Sequence, residues 1–133
     1  MFTVLRWETR FASGIASLDF RHQVLFALIN EVNCAALTGD RSLSPREMLA
    51  DFARHARLQF AEEEQLMLAS GYSELESHRM EHGVLCEAIA LLAGAESEVD
   101  VVDVCAFAHD WLVRHIVSTD LPMVAYLRGD TAA

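Results

Sequence analysis

Four stretches of this 133-residue chain repeat apolar residues every three and four positions, and each gives way to a short break. That spacing describes an α-helix with one buried face. The first stretch runs through Val24, Leu25, Leu28, Ile29, Val32 and Ala36, with Asp19 placed to cap or begin it and Gly39 to end it. "SLSPRE" opens the second. Ser44 suits the cap, Pro45 suits the first helical position, and Glu47 stands three residues after the cap. This helix is expected to run to about Ala69, where Ser70, Gly71 and Tyr72 break it. The third spans Ser73 to Ala93, with Gly83 tolerated inside it at about 1 kcal/mol. The fourth starts at "SEVDVV" and ends near Ser118, with Pro122 and a short terminal segment beyond. Breaks this short make successive helices antiparallel neighbours. The expected fold class is therefore all-α, an up-down-up-down four-helix bundle. One domain over residues 1–133 is expected. Residues 19–120 form the bundle and residues 1–18 an N-terminal arm across it, anchored by Trp7, Phe11 and Ile15.

Composition removes several classes of function. Hydrophobic residues make up 53%, enough for a full core, while 2 prolines and 6 glycines are too few for the turns of a β-sandwich. With 20 acidic against 10 basic residues, the net charge of −10 opposes a nucleic-acid or anionic-membrane partner. No apolar run approaches the ~20 residues of a membrane span, and the first residues have no signal-peptide core. Cys34, Cys86 and Cys105 are odd in number and far apart. They read as reduced, mostly buried thiols of a cytoplasmic protein.

Polar residues interrupt the apolar faces, and on every helix. His78 and His82 are four apart and project from one face. His115 lies one turn from Trp111, with Asp120 five residues after it. His22 shares the stripe of Leu25, Leu28 and Ile29. Gln59 and Glu63 are again four apart. Singly, each has an ordinary explanation, since most histidines bind nothing and Trp111 alone is core. Jointly, four helices aim nitrogen or oxygen donors at one axis. A carboxylate buried there without a partner would cost several kcal/mol or take up a proton, so Glu63 implies a positive charge beside it. Its neighbours Glu62 and Glu64 read as solvated flanks. His109 falls on a different face from His115 and reads as a non-ligand, and Cys86 and Cys105 read as packing.

These residues sit in segments that together resemble the bacteriohemerythrins. The segments are "WETRFASGIASLDFRH" (7–22), "LIN" (28–30), "QFAEEEQLM" (59–67), "HRMEH" (78–82) and "WLVRHIVSTD" (111–120). The resemblance covers nearly the whole chain, from Trp7 to about Asp120. It implies a four-helix bundle enclosing two iron ions, oxo- or hydroxo-bridged and carboxylate-bridged, with O2 or another small diatomic as ligand. His78, His82 and His115 would hold one iron and His22 the other, which meets O2. Glu63 and Asp120 would bridge them, while Phe60, Trp111 and Ile116 would line the O2 pocket. The implied function is O2 carriage, storage or delivery, with a di-iron enzyme or a sensor of O2, NO or peroxide as the alternative. A separate protein partner stays open and unidentified.

At Gln59 the chain departs from the family pattern, which has histidine there. Imidazole suits iron better than a neutral amide oxygen. Three outcomes are open: Gln59 ligates through its oxygen, or it hydrogen-bonds a water that fills the gap, or His55 one turn earlier substitutes. A turn is about 5.4 Å, too far for a simple exchange.

Two other readings compete. "HRMEH" also fits H-x-x-E-H, a zinc-peptidase pattern with a glutamate base, but this leaves His22, His115 and Asp120 unexplained. Di-iron oxidases of the ferritin type need Glu-x-x-His, and Leu75 and Arg79 stand where those glutamates would be.

Overall fold

The computed structural model describes residues 4–38, 44–93 and 99–129. The helices are α1 (Ala16–Thr38), α2 (Pro45–Ser70), α3 (Leu75–Ala93) and α4 (Val99–His115). A π-helical turn, Ile116–Asp120, follows directly and leads into α5 (Leu121–Leu127). α1 packs on α2 and α4, and α3 packs on the same two, which closes the four into a bundle.

The expected start of α2 is observed in detail. Ser44 is in extended backbone and its side chain accepts from the Glu47 amide at 3.3 Å, with Pro45 in the first turn. Gly71 ends α2 in the left-handed region at φ 71°, and Tyr72 N–H donates back to the Met67 carbonyl at 3.0 Å. This is the C-terminal stop that favours glycine. α1 begins at Ala16, three residues before Asp19. Asp19 lies in the first turn and ties the arm instead, accepting from Ser13 N–H at 3.0 Å and Ser13 Oγ at 2.8 Å. The assignment of Gly39 as a helix end, the side chain of Ala36 and the break before α4 lie outside the described residues.

The last helix differs from the expectation most. The chain does not leave the helix near Ser118. It widens into the π turn and continues to Leu127, with Pro122 in the first turn of α5, where its missing N–H costs nothing. The terminal segment is therefore helical and packs back on α2.

The arm is held by polar and aromatic contacts together. Asn30 brackets Leu5, accepting from its N–H and donating to its carbonyl, both at 2.9 Å. Trp7, Phe11 and Phe26 form a ring cluster with centroids 5.2–5.6 Å apart, a spacing that favours tilted aromatic pairs. Arg128 donates to the Ser13 carbonyl at 2.8 Å and lies directly over Gly14. Gly14 has φ +87°, and a Cβ there would strike that guanidinium, so both backbone and space require glycine.

The apolar core is split into two clusters. The larger contains Leu25, Phe60, Leu85 and Ile116, and the smaller centres on Met67, Met123 and Val124 with Leu18 and Leu75 against it. Between them lies a polar layer. Along α2 the buried order is Phe60, Glu63, Met67, and along the last helix it is Ile116, Asp120, Met123.

Candidate metal centre

Each helix supplies that layer from its inward stripe. α1 brings His22, α2 brings Gln59 and Glu63, α3 brings His78 and His82, and the last helix brings His115 and Asp120. All seven are at most 3% exposed. The π turn explains how the last pair can meet. On a regular α-helix, residues five apart point about 140° from each other. A turn closed by i→i+5 hydrogen bonds, here Leu121 N–H to the Ile116 carbonyl, stacks them on one face. His115 Nε2 and Asp120 Oδ1 are consequently 3.1 Å apart.

The two carboxylates divide their oxygens between two groups of imidazoles. Glu63 Oε1 is 3.2 Å from both His78 Nε2 and His82 Nε2. Asp120 Oδ1 is 2.9 Å from His78 Nε2. The other oxygens face His22: its Nε2 is 3.1 Å from Asp120 Oδ2 and 3.9 Å from Glu63 Oε2. The geometry is thus a three-histidine side and a one-histidine side, with both carboxylates spanning the two. Glu63, His78, His82, His115 and Asp120 each offer a ligand atom within 4.8 Å of one another, and His22 stands on the far side of the carboxylates.

These close approaches lack the direction of hydrogen bonds. Among the described residues, nine buried side-chain atoms have no hydrogen-bond partner, and all belong to these seven residues. They include His22 Nε2, His78 Nε2, His82 Nε2, His115 Nε2, Glu63 Oε1, Asp120 Oδ1 and Gln59 Oε1. Buried polar atoms are ordinarily paired, and each orphan costs on the order of 1–3 kcal/mol. Donors that converge without bonding one another suit cations that they surround, so the residues present fit a metal centre.

Neighbouring carboxylates orient two of the imidazoles. His82 Nδ1 is 2.8 Å from Glu64 Oε2, and His115 Nδ1 is 2.9 Å from Glu81 Oε1. An Nδ1–H donated outward leaves Nε2 unprotonated and pointing in, as a ligand requires. Glu81 also accepts from Thr119 Oγ1 at 2.9 Å, and Glu64 accepts from Arg79 Nε at 3.2 Å. Glu64 is therefore no solvated flank. Only Glu62 keeps that character, exposed and paired with Arg21. The part played by Glu81 went unrecognised in the sequence beyond the H-x-x-E-H pattern. There it would be a base aimed inward, whereas it points to His115 and Thr119. The signal that could have found it is its place one residue before a ligand candidate, beside the next helix.

The rings are also clamped. Phe60 stacks on His82 at 3.8 Å and 4°, and Trp111 stacks on His115 at 4.3 Å and 12°. Ile116 is fully buried beside them. Of the three residues expected to line the O2 pocket, whose iron was expected to be the one held by His22, Phe60 and Trp111 thus stack on the three-histidine side instead, and Ile116 packs in the same apolar cluster.

Charge within the layer is shared between the protein's own groups. Burial alone would lower His78, but the Asp120 and Glu63 carboxylates outweigh it and raise it to about 9. His115 is likewise raised, against burial, by Asp120 and Glu81. Asp120 is fully buried, which opposes its charge, yet His115, His22 and His78 hold it well below the ordinary carboxylate value. Without metal, imidazolium balances carboxylate.

Gln59 sits on the His22 side. Its Nε2 donates to Glu63 Oε2 at 3.0 Å, which leaves Oε1 buried and unpartnered. The reverse amide orientation would set two acceptors against each other. His55 does not take its place: that ring is 3.9 Å from Asp51 and 3.4 Å from Arg54, half-exposed. His109 likewise faces away, with Nδ1 3.2 Å from Asp110. Among the cysteines, Cys34 is exposed rather than buried, while Cys105 is buried and its thiol is pushed up to about 12.

The chain is similar to known proteins over most of its length. Residues 13–127 match the family described as the hemerythrin HHE cation binding domain. A bacteriohemerythrin of Methylococcus capsulatus is 30% identical over 122 residues, 88% of this chain and 92% of that one. A myohemerythrin of Riftia pachyptila is 32% identical over 114 residues, 86% of each. The crystal structure of a wild-type hemerythrin superimposes with a TM-score of 0.81 at 27% identity, covering 94% of this chain and 98% of that one. With the matched segment spanning every candidate ligand from His22 to Asp120, the chain belongs to the hemerythrin family.

Proposed function

We propose that this protein binds O2 at a di-iron centre and serves in its carriage, storage or delivery. The observation that carries the reading is the division of the Glu63 and Asp120 oxygens between His22 and the three-histidine set. His78, His82 and His115 would hold one iron, His22 the other, and the two carboxylates both. When bound and reduced, such a pair supplies the electrons that let O2 bind reversibly. The chain's own residues do the rest. Glu64 and Glu81 fix the ring nitrogens, and Phe60, Trp111 and Ile116 keep bulk water away. Gln59 holds the free oxygen of Glu63 on the His22 side.

Gln59 supplies one ligand fewer, or a weaker one, than histidine. A second reading follows from it: an iron held loosely on that side favours oxidation over reversible binding, and with it turnover of peroxide or NO. No helix among the described residues is long and apolar enough to cross a membrane. The charge of −10 offers nothing for nucleic acid, and we place the protein in the cytoplasm, where its thiols stay reduced. The test is iron per chain by elemental analysis, followed by oxygenation and deoxygenation of the reduced protein. Two irons and a reversible spectrum support carriage. One iron per chain, or an irreversible change on oxygenation, rejects it.

A further inference from the structure

A groove of about 720 Å³ separates the N-terminal arm from α4, and none of the candidate metal ligands lines it. Sites for small organic molecules span roughly 300–1,000 Å³, so the groove has room for one. Both of its walls are fixed in advance. On the arm, Asn30 pins the backbone of Leu5 through two hydrogen bonds of 2.9 Å, and Phe11 is buried against Trp7 and Phe26. The opposite wall is helical, from His109 to Arg114. A groove formed before its occupant arrives spares the entropy that ordering a loop would cost.

The groove also reverses the charge balance of the chain. The whole sequence sets 20 acids against 10 basic residues, all of them arginines. Here Arg6, Arg10 and Arg114 stand with His109 against only Glu8 and Asp110. Those two acids are already matched. Glu8 Oε2 is 2.5 Å from Arg10 Nε, and Asp110 Oδ1 is 3.2 Å from His109 Nδ1. Arg10 is further committed, 4.4 Å over the Phe11 ring. The other two arginines are not. Among the described residues Arg6 makes no ion pair. Arg114 engages only Nε, 3.4 Å from the Asp110 carbonyl of its own helix. Each wall thus offers one uncommitted guanidinium. Val4, 51% exposed, and the half-buried Val113 add apolar surface.

We infer that this groove binds a small organic carboxylate with an apolar body, its charged end held by Arg6 and Arg114 and its body against Val4 and Val113. A guanidinium fork matches a carboxylate with two parallel hydrogen bonds. The lining arginines exceed the lining acids by one, which suits a monoanion better than a dianion such as phosphate. The site depends neither on the metal centre nor on O2 binding. An occupant touching both walls ties the arm to α4 and so stabilises the folded chain.

The probe is hexanoate, titrated calorimetrically into the full chain with its metal as purified. Acetate, hexan-1-ol and inorganic phosphate are titrated beside it. Hexanoate is expected to bind with a Kd of about 1 mM or tighter. Acetate, which lacks the body, hexan-1-ol, which lacks the charge, and phosphate should each bind at least about fivefold more weakly. Arg6→Gln and Arg114→Gln should each weaken hexanoate about fivefold. Arg57→Gln, at an exposed arginine on α2 outside the groove, should leave it unchanged. All three side chains are exposed, so the variants should keep the fold, which circular dichroism checks. No hexanoate binding at millimolar concentration overturns the site. Acetate or phosphate binding as tightly as hexanoate would show surface charge alone, and hexan-1-ol doing so would show apolar contact alone. Either result overturns the site. Undiminished binding in both groove variants would place the carboxylate elsewhere, the metal included, and overturns it too.

Discussion

Gln59 donates to the carboxylate of Glu63 at 3.0 Å, one helical turn away on α2, and so braces on the His22 side an acid that the three-histidine side also uses. The family's histidine would place a nitrogen donor where this chain places an amide. Gln59→His is therefore expected to tighten retention of the iron on the His22 side by about 10- to 100-fold, the scale seen when metal-site ligands or their supports change. It is also expected to slow autoxidation of the reduced protein. Chelator competition and the decay of the oxygenated spectrum measure the two effects. If neither moves, Gln59 has no bearing on the metal.

Metal removal tests the layer between the two apolar clusters. Orphaned ring nitrogens and carboxylate oxygens at the centre of a bundle favour unfolding unless a cation occupies them. A ligand at a thousand times its dissociation constant adds about 4 kcal/mol to the folded state. For a chain of this size that corresponds to a fall on the order of 10–20 °C in Tm on chelation. Equal melting of the two forms in differential scanning calorimetry would contradict a metal-dependent layer.

Without metal, the histidines' own protons take over part of that work, and this gives a pH dependence. His78 is raised from its ordinary 6.5 to about 9 in the folded protein by Asp120 and Glu63, against the opposing effect of burial. Its contribution to stability is therefore complete below about 6.5 and is lost as pH rises through about 9. Asp120 is held below its ordinary 3.8, so its contribution is present above that value and is lost in stronger acid. The metal-free protein should thus lose stability between pH 7 and 9.5. The loaded protein should not lose it there, because metal replaces the proton. At neutral pH, loading should also release the His78 proton, which titration calorimetry in buffers of different ionisation enthalpy detects. Proton-neutral loading would count against this charge balance.

Much of the fold and of the candidate site was legible in the sequence, because the helical period that marks a buried stripe also marks any polar residue placed in it. His78 and His82, or Gln59 and Glu63, stand out against apolar neighbours one turn away, and Ser44-Pro45 writes its own helix start. Two things were less visible. Asp120 lies five residues from His115, off the helical period, because only the π turn brings the two together, and local sequence does not announce a π turn. Glu64 and Glu81 act across helices, on His82 and His115, from positions that share the periodicity of solvated residues. Their partners depend on how α2, α3 and α4 pack, which no single stripe states.

Glu81 carries the last prediction. It is a positioning residue that receives His115 Nδ1 and Thr119 Oγ1 and stays partly exposed. Glu81→Ala removes the acceptor that fixes the His115 tautomer, so metal affinity should fall about 10- to 100-fold. The fold should survive, because the side chain lies at the bundle surface. Glu81→Gln keeps an oxygen for Nδ1–H and loses the charge, so it should recover much of that affinity. Thr119→Ala removes only the second support and should cost less than either. Zinc titration of the three variants separates this role from a general structural one, since a structural role would lower Tm without the graded order. Equal affinities across the series would show that His115 is oriented by its stacking on Trp111 alone.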